Sequence, residues 1–159
     1  MNFDLDPEHE LIRDTVRQFA LEKIAPVAEE LDRESRFPYE LTAELAELGL
    51  MGMTIPEEYG GAGSDTLSYA IVVEELTRID SSVAITLAAH HSLGTLPIYY
   101  FGNEEQRRAW LPDLASGRKL AAFGLTESNA GSDAGATRTT AVLAGGEWVI
   151  NGSKMFITN

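Results

Sequence analysis

The sequence predicts a mainly α fold, in which a helical domain over residues 1–118 is followed by the opening strands of a β domain over residues 119–159. Two observations lead to this prediction. Apolar residues recur every three or four positions through most of the chain, which is the period of a half-buried helix. From Lys119 onward the period shortens, and runs rich in Val, Thr and Ile are separated by the turn signals Gly145-Gly146 and Asn151-Gly152. A chain of 159 residues is long enough for one domain and part of a second.

The first three predicted helices begin at cap or proline residues. Asp6 is expected to cap a helix whose first residue is Pro7, and Pro26 is expected to restart the chain as a second, short helix. Pro38 precedes a third predicted helix, for which Gly49 is the stop signal.

Two further helices are predicted in the middle of the chain. Ser64 or Asp65 is expected to cap the first, and Asp80 the second, which is strongly apolar. The second helix is expected to be interrupted near Gly94 and Pro97, where a buried helix could bend around a ligand.

The last predicted helix gives way to strands. Asn103 opens this helix and Gly117 ends it. Three segments then have strand-like composition, over residues 120–125, 137–143 and 147–150. Two dipeptides are hairpin-turn signals, Gly145-Gly146 and Asn151-Gly152.

Composition limits the functions that the chain can have. The net charge of −13, from 25 acidic and 12 basic residues, argues against nucleic-acid binding. The absence of cysteine excludes disulfides, thiolate chemistry and cysteine-ligated metals. The chain start lacks the pattern of a secretory signal, and no apolar run approaches a membrane span, so the expected location is cytoplasmic.

Several charged or titratable residues are interpreted as structural. His90 and His91 are adjacent, so they point to different faces of a helix, and no third metal ligand is evident. Glu74 and Glu75 are adjacent on a predicted helix, and they are expected to lie on a solvated or ion-paired face rather than to act as bases. Glu127 lies in a turn, where it is expected to order backbone amides rather than to act as a base. No metal site is therefore predicted.

The segment over residues 122–133 is the most informative part of the sequence. It begins as an apolar strand and opens into a turn dense in Thr, Ser, Asn, Asp and Gly. Such a turn presents hydroxyl and backbone N–H groups beside an apolar wall, which suits a flat, partly polar ligand that carries phosphates.

Four motifs, taken in order and spacing, resemble the acyl-CoA dehydrogenase family over the whole chain. They are PEEYGG at 56–61, SLG at 92–94 with FGNEEQ at 101–106, TESNAGSD at 126–133, and INGSKMFITN at 150–159. The resemblance implies an N-terminal helical bundle followed by the first strands of a β-barrel-like middle domain that this chain leaves incomplete. It also implies an FAD-dependent enzyme that oxidises acyl-CoA to 2,3-enoyl-CoA, by α-proton abstraction and β-hydride transfer to the flavin.

The resemblance assigns eight residues to FAD by their positions in the motifs: Phe123, Leu125, Thr126, Gly131, Ser132, Phe156, Ile157 and Thr158. Thr126 is implied to bond the flavin near N5, and Phe156 to cover the ring where the family often has tryptophan. Ser132 is also implied to reach the pantetheine arm of CoA. The resemblance places the catalytic glutamate outside this chain, so no catalytic residue is assigned.

The family resemblance also implies partners, and it leaves alternatives open. It implies an acyl-CoA substrate, an electron-transfer flavoprotein as electron acceptor, and a homotetramer. An acyl-CoA oxidase or a flavin-dependent monooxygenase of the same fold is one alternative. A non-catalytic helical module that binds no flavin is another.

Overall fold

A computed structural model describes residues 4–159. In this part of the chain, seven α-helices precede a two-stranded antiparallel hairpin. The helices are α1 (Pro7–Phe19), α2 (Ala28–Glu34), α3 (Tyr39–Glu47), α4 (Thr66–Thr77), α5 (Ser81–Ala88), α6 (Leu96–Phe101) and α7 (Glu104–Ala115). The strands are β1 (Thr140–Ala144) and β2 (Glu147–Asn151). The predicted mainly α fold class is confirmed.

The predicted helix caps are confirmed as well. The carboxylates of Asp6, Asp65 and Asp80 accept hydrogen bonds from backbone N–H groups in the first turns of α1, α4 and α5. Asp65, and not Ser64, is therefore the cap of α4. Helix α7 begins with a reciprocal pair, because the Asn103 side chain accepts from the Gln106 N–H at 2.8 Å and the Gln106 side chain accepts from the Asn103 N–H at 2.9 Å.

The interruption predicted near Gly94 and Pro97 is a change of helix type and not a break. Helix α5 continues directly into a π-helical segment, Ala89–Thr95, which passes into α6. Pro97 is the second residue of α6 and follows the π-helical segment directly. A proline has no N–H to donate to the preceding turn, so a local change of helix type is expected here. A π-helical turn widens the helix without ending it, so the buried helix distorts at the expected position.

The strand predictions are right for the hairpin and wrong on either side of it. Strands β1 and β2 join through Gly145-Gly146, whose φ angles of +62° and +87° are left-handed. Residues 120–125 form no strand, and Asn151-Gly152 is no hairpin turn, because residues 152–159 continue as irregular chain. Extended composition alone does not make a strand, since a strand also requires a ladder of backbone hydrogen bonds with a neighbour.

The hydrophobic core lies among the helices. Helix α1 packs on α4 and α4 packs on α5. The fully buried side chains at the centre of this core include Ile24, Leu45, Met51, Leu76 and Leu87. The residues of β1 and β2 are all exposed. The helical part therefore has its own core, whereas the hairpin has none within residues 4–159.

An ion pair joins α1 to α4 beside this core. Arg17 Nε and Nη2 donate to the two carboxylate oxygens of Glu75 at 2.9 and 2.7 Å. The Glu75 side chain is only 4% exposed, and the hydrogen bonds from Arg17 hold its pKa below the ordinary value. The interpretation of Glu75 as an ion-paired residue is confirmed.

His9 joins the beginnings of α1 and α4. Its Nδ1 lies 2.8 Å from Asp6 Oδ1, and its Nε2 lies 3.1 Å from Asp65 Oδ2. Both carboxylates also cap their helices, so one imidazole connects two caps. Burial lowers the pKa of His9, but the hydrogen bond to Asp65 and the negative charges of Asp6 and Asp65 outweigh it and raise the pKa above 6.5.

The His9 contacts predict a pH-dependent contribution to stability. A raised folded-state pKa stabilises the fold fully below the unfolded-state value, and this stabilisation is lost as the pH rises through the folded-state pKa. We expect His9→Gln to lower the free energy of unfolding more at about pH 5.5 than at about pH 8.5, as measured by urea titration. An equal loss at both pH values would contradict the charged state assigned to His9.

Candidate functional site

Two irregular segments run side by side at the end of the helical part, over residues 121–127 and 154–159. The Met155 N–H donates to the Thr126 carbonyl at 2.9 Å. Lys154 Nζ donates to the Leu125 carbonyl at 3.0 Å. We call these two stretches the paired segments.

Ala121 anchors the paired segments to the long buried helix. Its N–H donates to His90 Nδ1 at 3.0 Å, and its carbonyl accepts from Asn159 Nδ2 at 3.2 Å. The same Asn159 amide donates to the Thr86 carbonyl at 3.0 Å. Gly94 lies so close that a Cβ atom added to it would be 2.3 Å from the Ala121 Cβ. The π-helical segment and α5 thus fix where the first paired segment begins.

His90 holds this anchor in the neutral form. The ring is fully buried, and because Nδ1 accepts from Ala121, Nε2 is the nitrogen that donates to the Leu114 carbonyl at 3.1 Å. Burial lowers the pKa of His90 to about 4. The imidazole is therefore a neutral bridge between the end of α7 and the paired segments.

His91 has the opposite tautomer. Its Nδ1 lies 3.1 Å from the Met51 carbonyl, so it donates there, and its Nε2 accepts from Thr54 Oγ1 at 2.8 Å. The ring is fully buried, and burial lowers its pKa. The structural interpretation of both histidines is confirmed.

Glu127 orders backbone amides, as the sequence predicted. Its side chain is 4% exposed; Oε2 accepts from the Arg138 N–H at 2.7 Å, and Oε1 accepts from the Thr139 N–H at 3.0 Å and from Lys154 Nζ at 2.8 Å. The hydrogen bond from Lys154, followed by those from Arg138 and Thr139, lowers the pKa of Glu127 to about 2. The Lys154 partner is 27 residues away in sequence and was not predicted.

The structure places six of the eight predicted FAD residues on the paired segments. Four apolar side chains are exposed, and the two threonine side chains are partly buried. These six residues are Phe123, Leu125, Thr126, Phe156, Ile157 and Thr158. Gly131 and Ser132 lie apart from them, in the exposed turn that follows Glu127.

Phe156 combines exposure with an unfavourable backbone. Its side chain is 87% exposed and its φ angle is +56°, in the left-handed region. That region costs a residue with a bulky side chain roughly 1–2 kcal/mol. Residues held in such sparsely populated backbone conformations are concentrated at active sites and ligand sites.

A groove of about 420 Å³ opens beside the second paired segment. Its walls come from Ile85 and Thr86 of α5, from residues 157–159, and from residues 35–38. The stretch 35–38 was missed in the sequence, where its only signal was the proline before α3. Ile85 is 54% exposed, so it gives the groove an apolar wall on the side of α5.

Metal-ligand clusters and membrane-spanning helices are both absent from residues 4–159. No group of three or more His, Asp or Glu side chains in this range is arranged to hold a metal ion. Within the same range, every helix is too short or too polar to cross a membrane.

The chain matches two family models over nearly its whole length. The model for the acyl-CoA dehydrogenase N-terminal domain matches residues 6–118, and that for the middle domain matches residues 122–159. A probable acyl-CoA dehydrogenase of Bacillus subtilis is 52% identical over 159 residues. The alignment covers 100% of this chain and 42% of the relative, so the chain spans about two fifths of that protein's length.

Solved structures with closely similar folds agree with these matches. A chain from a structure described as the electron transferring flavoprotein of Acidaminococcus fermentans aligns with a TM-score of 0.94 at 46% identity, covering 99% of this chain and 41% of that chain. An acyl-CoA dehydrogenase from Bacillus anthracis, complexed with FAD, aligns with a TM-score of 0.90 at 43% identity, covering 98% of this chain and 27% of that chain. The resemblance inferred from the four sequence motifs is confirmed, and the chain belongs to the acyl-CoA dehydrogenase family.

Proposed function

We propose that the chain provides FAD-binding residues of an acyl-CoA dehydrogenase, an oxidoreductase that converts acyl-CoA thioesters to 2,3-enoyl-CoA. The observation that carries this proposal is the pair of segments 121–127 and 154–159, which places exposed apolar side chains beside threonine hydroxyls. A neutral flavin ring needs apolar walls and a few hydrogen-bonding groups, so these residues fit FAD. The FAD complex of the Bacillus anthracis relative supports the same cofactor.

Each group of residues has a distinct role in this proposal. Phe156 covers the flavin ring, while Phe123, Leu125 and Ile157 exclude water from its edge. The hydroxyls of Thr126 and Thr158 hydrogen-bond the polar atoms of the cofactor. Gly131 and Ser132 lie in the turn that holds the pyrophosphate, and Ser132 also meets the pantetheine arm of CoA. When bound, FAD supplies the acceptor for the hydride from the substrate β carbon.

We assign no catalytic base among the described residues. Glu75 and Glu127 are the two buried carboxylates near the helices and the paired segments, and both already accept hydrogen bonds from a cation. A general base must be free to take the α proton, so an occupied carboxylate with a lowered pKa is poorly suited to that role.

The partners are proposed with the activity. We propose an acyl-CoA substrate and an electron-transfer flavoprotein as electron acceptor, which the likeness to the Acidaminococcus fermentans chain supports. A homotetramer, a cytoplasmic location and a domain boundary between residues 118 and 119 stay predictions from the sequence.

Equilibrium dialysis with FAD, together with the absorbance spectrum of the bound flavin, tests the cofactor proposal. We expect stoichiometric binding with a shifted flavin band, and we expect Phe156→Asn to weaken it because the aromatic cover is lost. The same substitution should raise the free energy of unfolding by about 1 kcal/mol, since asparagine tolerates the left-handed region.

Phe101 provides a matched control for this experiment. It is also a phenylalanine with 87% exposure, but it ends α6 and belongs to neither of the paired segments. Phe101→Asn should leave FAD binding unchanged. Absence of FAD binding by the unsubstituted chain would contradict the site assigned here, whereas family membership would stand on the sequence matches.

A further inference from the structure

The only buried residues between positions 122 and 159 are Glu127 and Ala130. They are joined by two backbone hydrogen bonds, of 2.9 Å from the Glu127 N–H to the Ala130 carbonyl and of 3.1 Å from the Ala130 N–H to the Glu127 carbonyl. This part of the chain has no apolar core of its own, as the exposed strands show. The buried centre of residues 122–159 therefore holds the carboxylate of Glu127, whereas such a centre usually holds a large apolar side chain.

The Glu127 carboxylate connects three stretches of chain. It belongs to the turn that follows Thr126, it accepts from the amides of Arg138 and Thr139 just before β1, and it pairs with Lys154. Lys154 in turn donates to the Leu125 carbonyl, so the same ammonium group bridges the two paired segments.

The charge of this carboxylate matters as much as its shape. Three N–H donors converge on its two oxygens, and an ionised carboxylate can accept from all of them. A glutamine in its place has one acceptor oxygen, and its NH₂ group would face a donor. Substitution by glutamine would therefore leave at least one of these hydrogen bonds unmade.

We propose that Glu127, acting through Lys154, is a positioning residue that holds residues 154–158 against residues 125–127, so that Thr126 and Thr158 meet one ligand. Its relation to FAD rests on the function proposed above. Glu127 itself does not touch the ligand in this proposal, and it acts by fixing the segments that do.

Glu127→Gln tests the proposal, with Glu75→Gln as its matched control. Both carboxylates are 4% exposed and both accept from a cation, but Glu75 lies among the helices. Two quantities are measured in the full chain: hydrogen exchange at the Met155 amide, which bonds Thr126 and not Glu127, and the dissociation constant for FAD.

In Glu127→Gln, we expect Met155 exchange to be faster and the FAD dissociation constant to rise by roughly tenfold, as for other residues that support a ligand contact. Glu75→Gln should change neither. Lys154→Met should speed Met155 exchange and raise the FAD dissociation constant in the same way as Glu127→Gln. Lys154→Arg should cause much smaller changes in both quantities, because the cation is kept.

Three results would overturn the proposal: unchanged Met155 exchange in Glu127→Gln, equal changes in Glu75→Gln, or faster exchange with unaltered FAD affinity. If the unsubstituted chain binds no FAD, the proposed cofactor site fails. The exchange data then decide by themselves whether Glu127 positions residues 154–158.

Discussion

His90→Leu is expected to lower the free energy of unfolding by about 3 kcal/mol. Leucine fills a similar space but offers no hydrogen bond to the Ala121 N–H or to the Leu114 carbonyl, both of which His90 satisfies. The buried Ala121 N–H is left without a partner, which costs about 1–3 kcal/mol, whereas the Leu114 carbonyl keeps the bond from the Gly117 N–H at 3.0 Å and loses only one hydrogen bond, worth about 1 kcal/mol. Together these losses exceed any gain from a more apolar side chain. Urea unfolding followed by circular dichroism measures the effect.

His90→Asn distinguishes the stability due to the hydrogen bond with Ala121 from that due to the bond with Leu114. Its side-chain oxygen can take the place of His90 Nδ1 and accept from Ala121, but its amide is too short to reach Leu114. His90→Asn should therefore recover part of the stability lost in His90→Leu. A leucine variant as stable as the original chain would refute the bridging role.

Acid should weaken the fold through the same residue. The pKa of His90 is lowered to about 4 in the folded state, below the ordinary value of 6.5. Its neutral form therefore stabilises the fold above about pH 6.5, and that stabilisation, about 3 kcal/mol, is lost as the pH falls toward 4. The unfolding free energy of His90→Leu should depend less on pH over this interval. This direction is opposite to that of His9, whose contribution is lost as the pH rises.

The helices could be predicted because their signals are local. Asp6, Asp80 and Asn103 each cap a helix that begins one residue later, so the cap and its partners lie within a few positions of one another. The same holds for the Gly145-Gly146 turn, because glycine adopts its two left-handed backbone conformations without strain.

The supports of the candidate site could not be predicted, because they join distant positions. The sequence showed that Glu127 lies in a turn, and hence that it would order amides, but nothing marked Lys154 as its partner. Likewise, the pair of histidines gave no sign that His90 accepts from Ala121, 31 residues later. The strand predicted at residues 120–125 is wrong for a related reason. Its composition is typical of a strand, but composition does not show whether a neighbouring segment forms the ladder of hydrogen bonds that a strand requires.

Gly94→Ala is expected to lower the free energy of unfolding by about 2 kcal/mol. The new methyl group would lie 2.3 Å from the Ala121 Cβ and 3.0 Å from the Ala121 carbonyl carbon, so the helix and the first paired segment must move apart. Overpacking of this kind costs about 3 kcal/mol, and the better helix propensity of alanine offsets about 1 kcal/mol of it. Because Ala121 anchors the paired segments, FAD affinity should fall as well.

Two further variants show whether the contact with Ala121 is responsible. Gly131 has no atom within 4 Å of an added Cβ, so Gly131→Ala should change stability by less than about 0.5 kcal/mol. The double variant Gly94→Ala/Ala121→Gly removes the opposing methyl group, so it should recover part of the stability lost in Gly94→Ala. The recovery should be incomplete, because the added Cβ would still lie 3.0 Å from the carbonyl carbon at position 121. If the double variant is no more stable than Gly94→Ala, the close approach of these two residues does not set the position of the first paired segment.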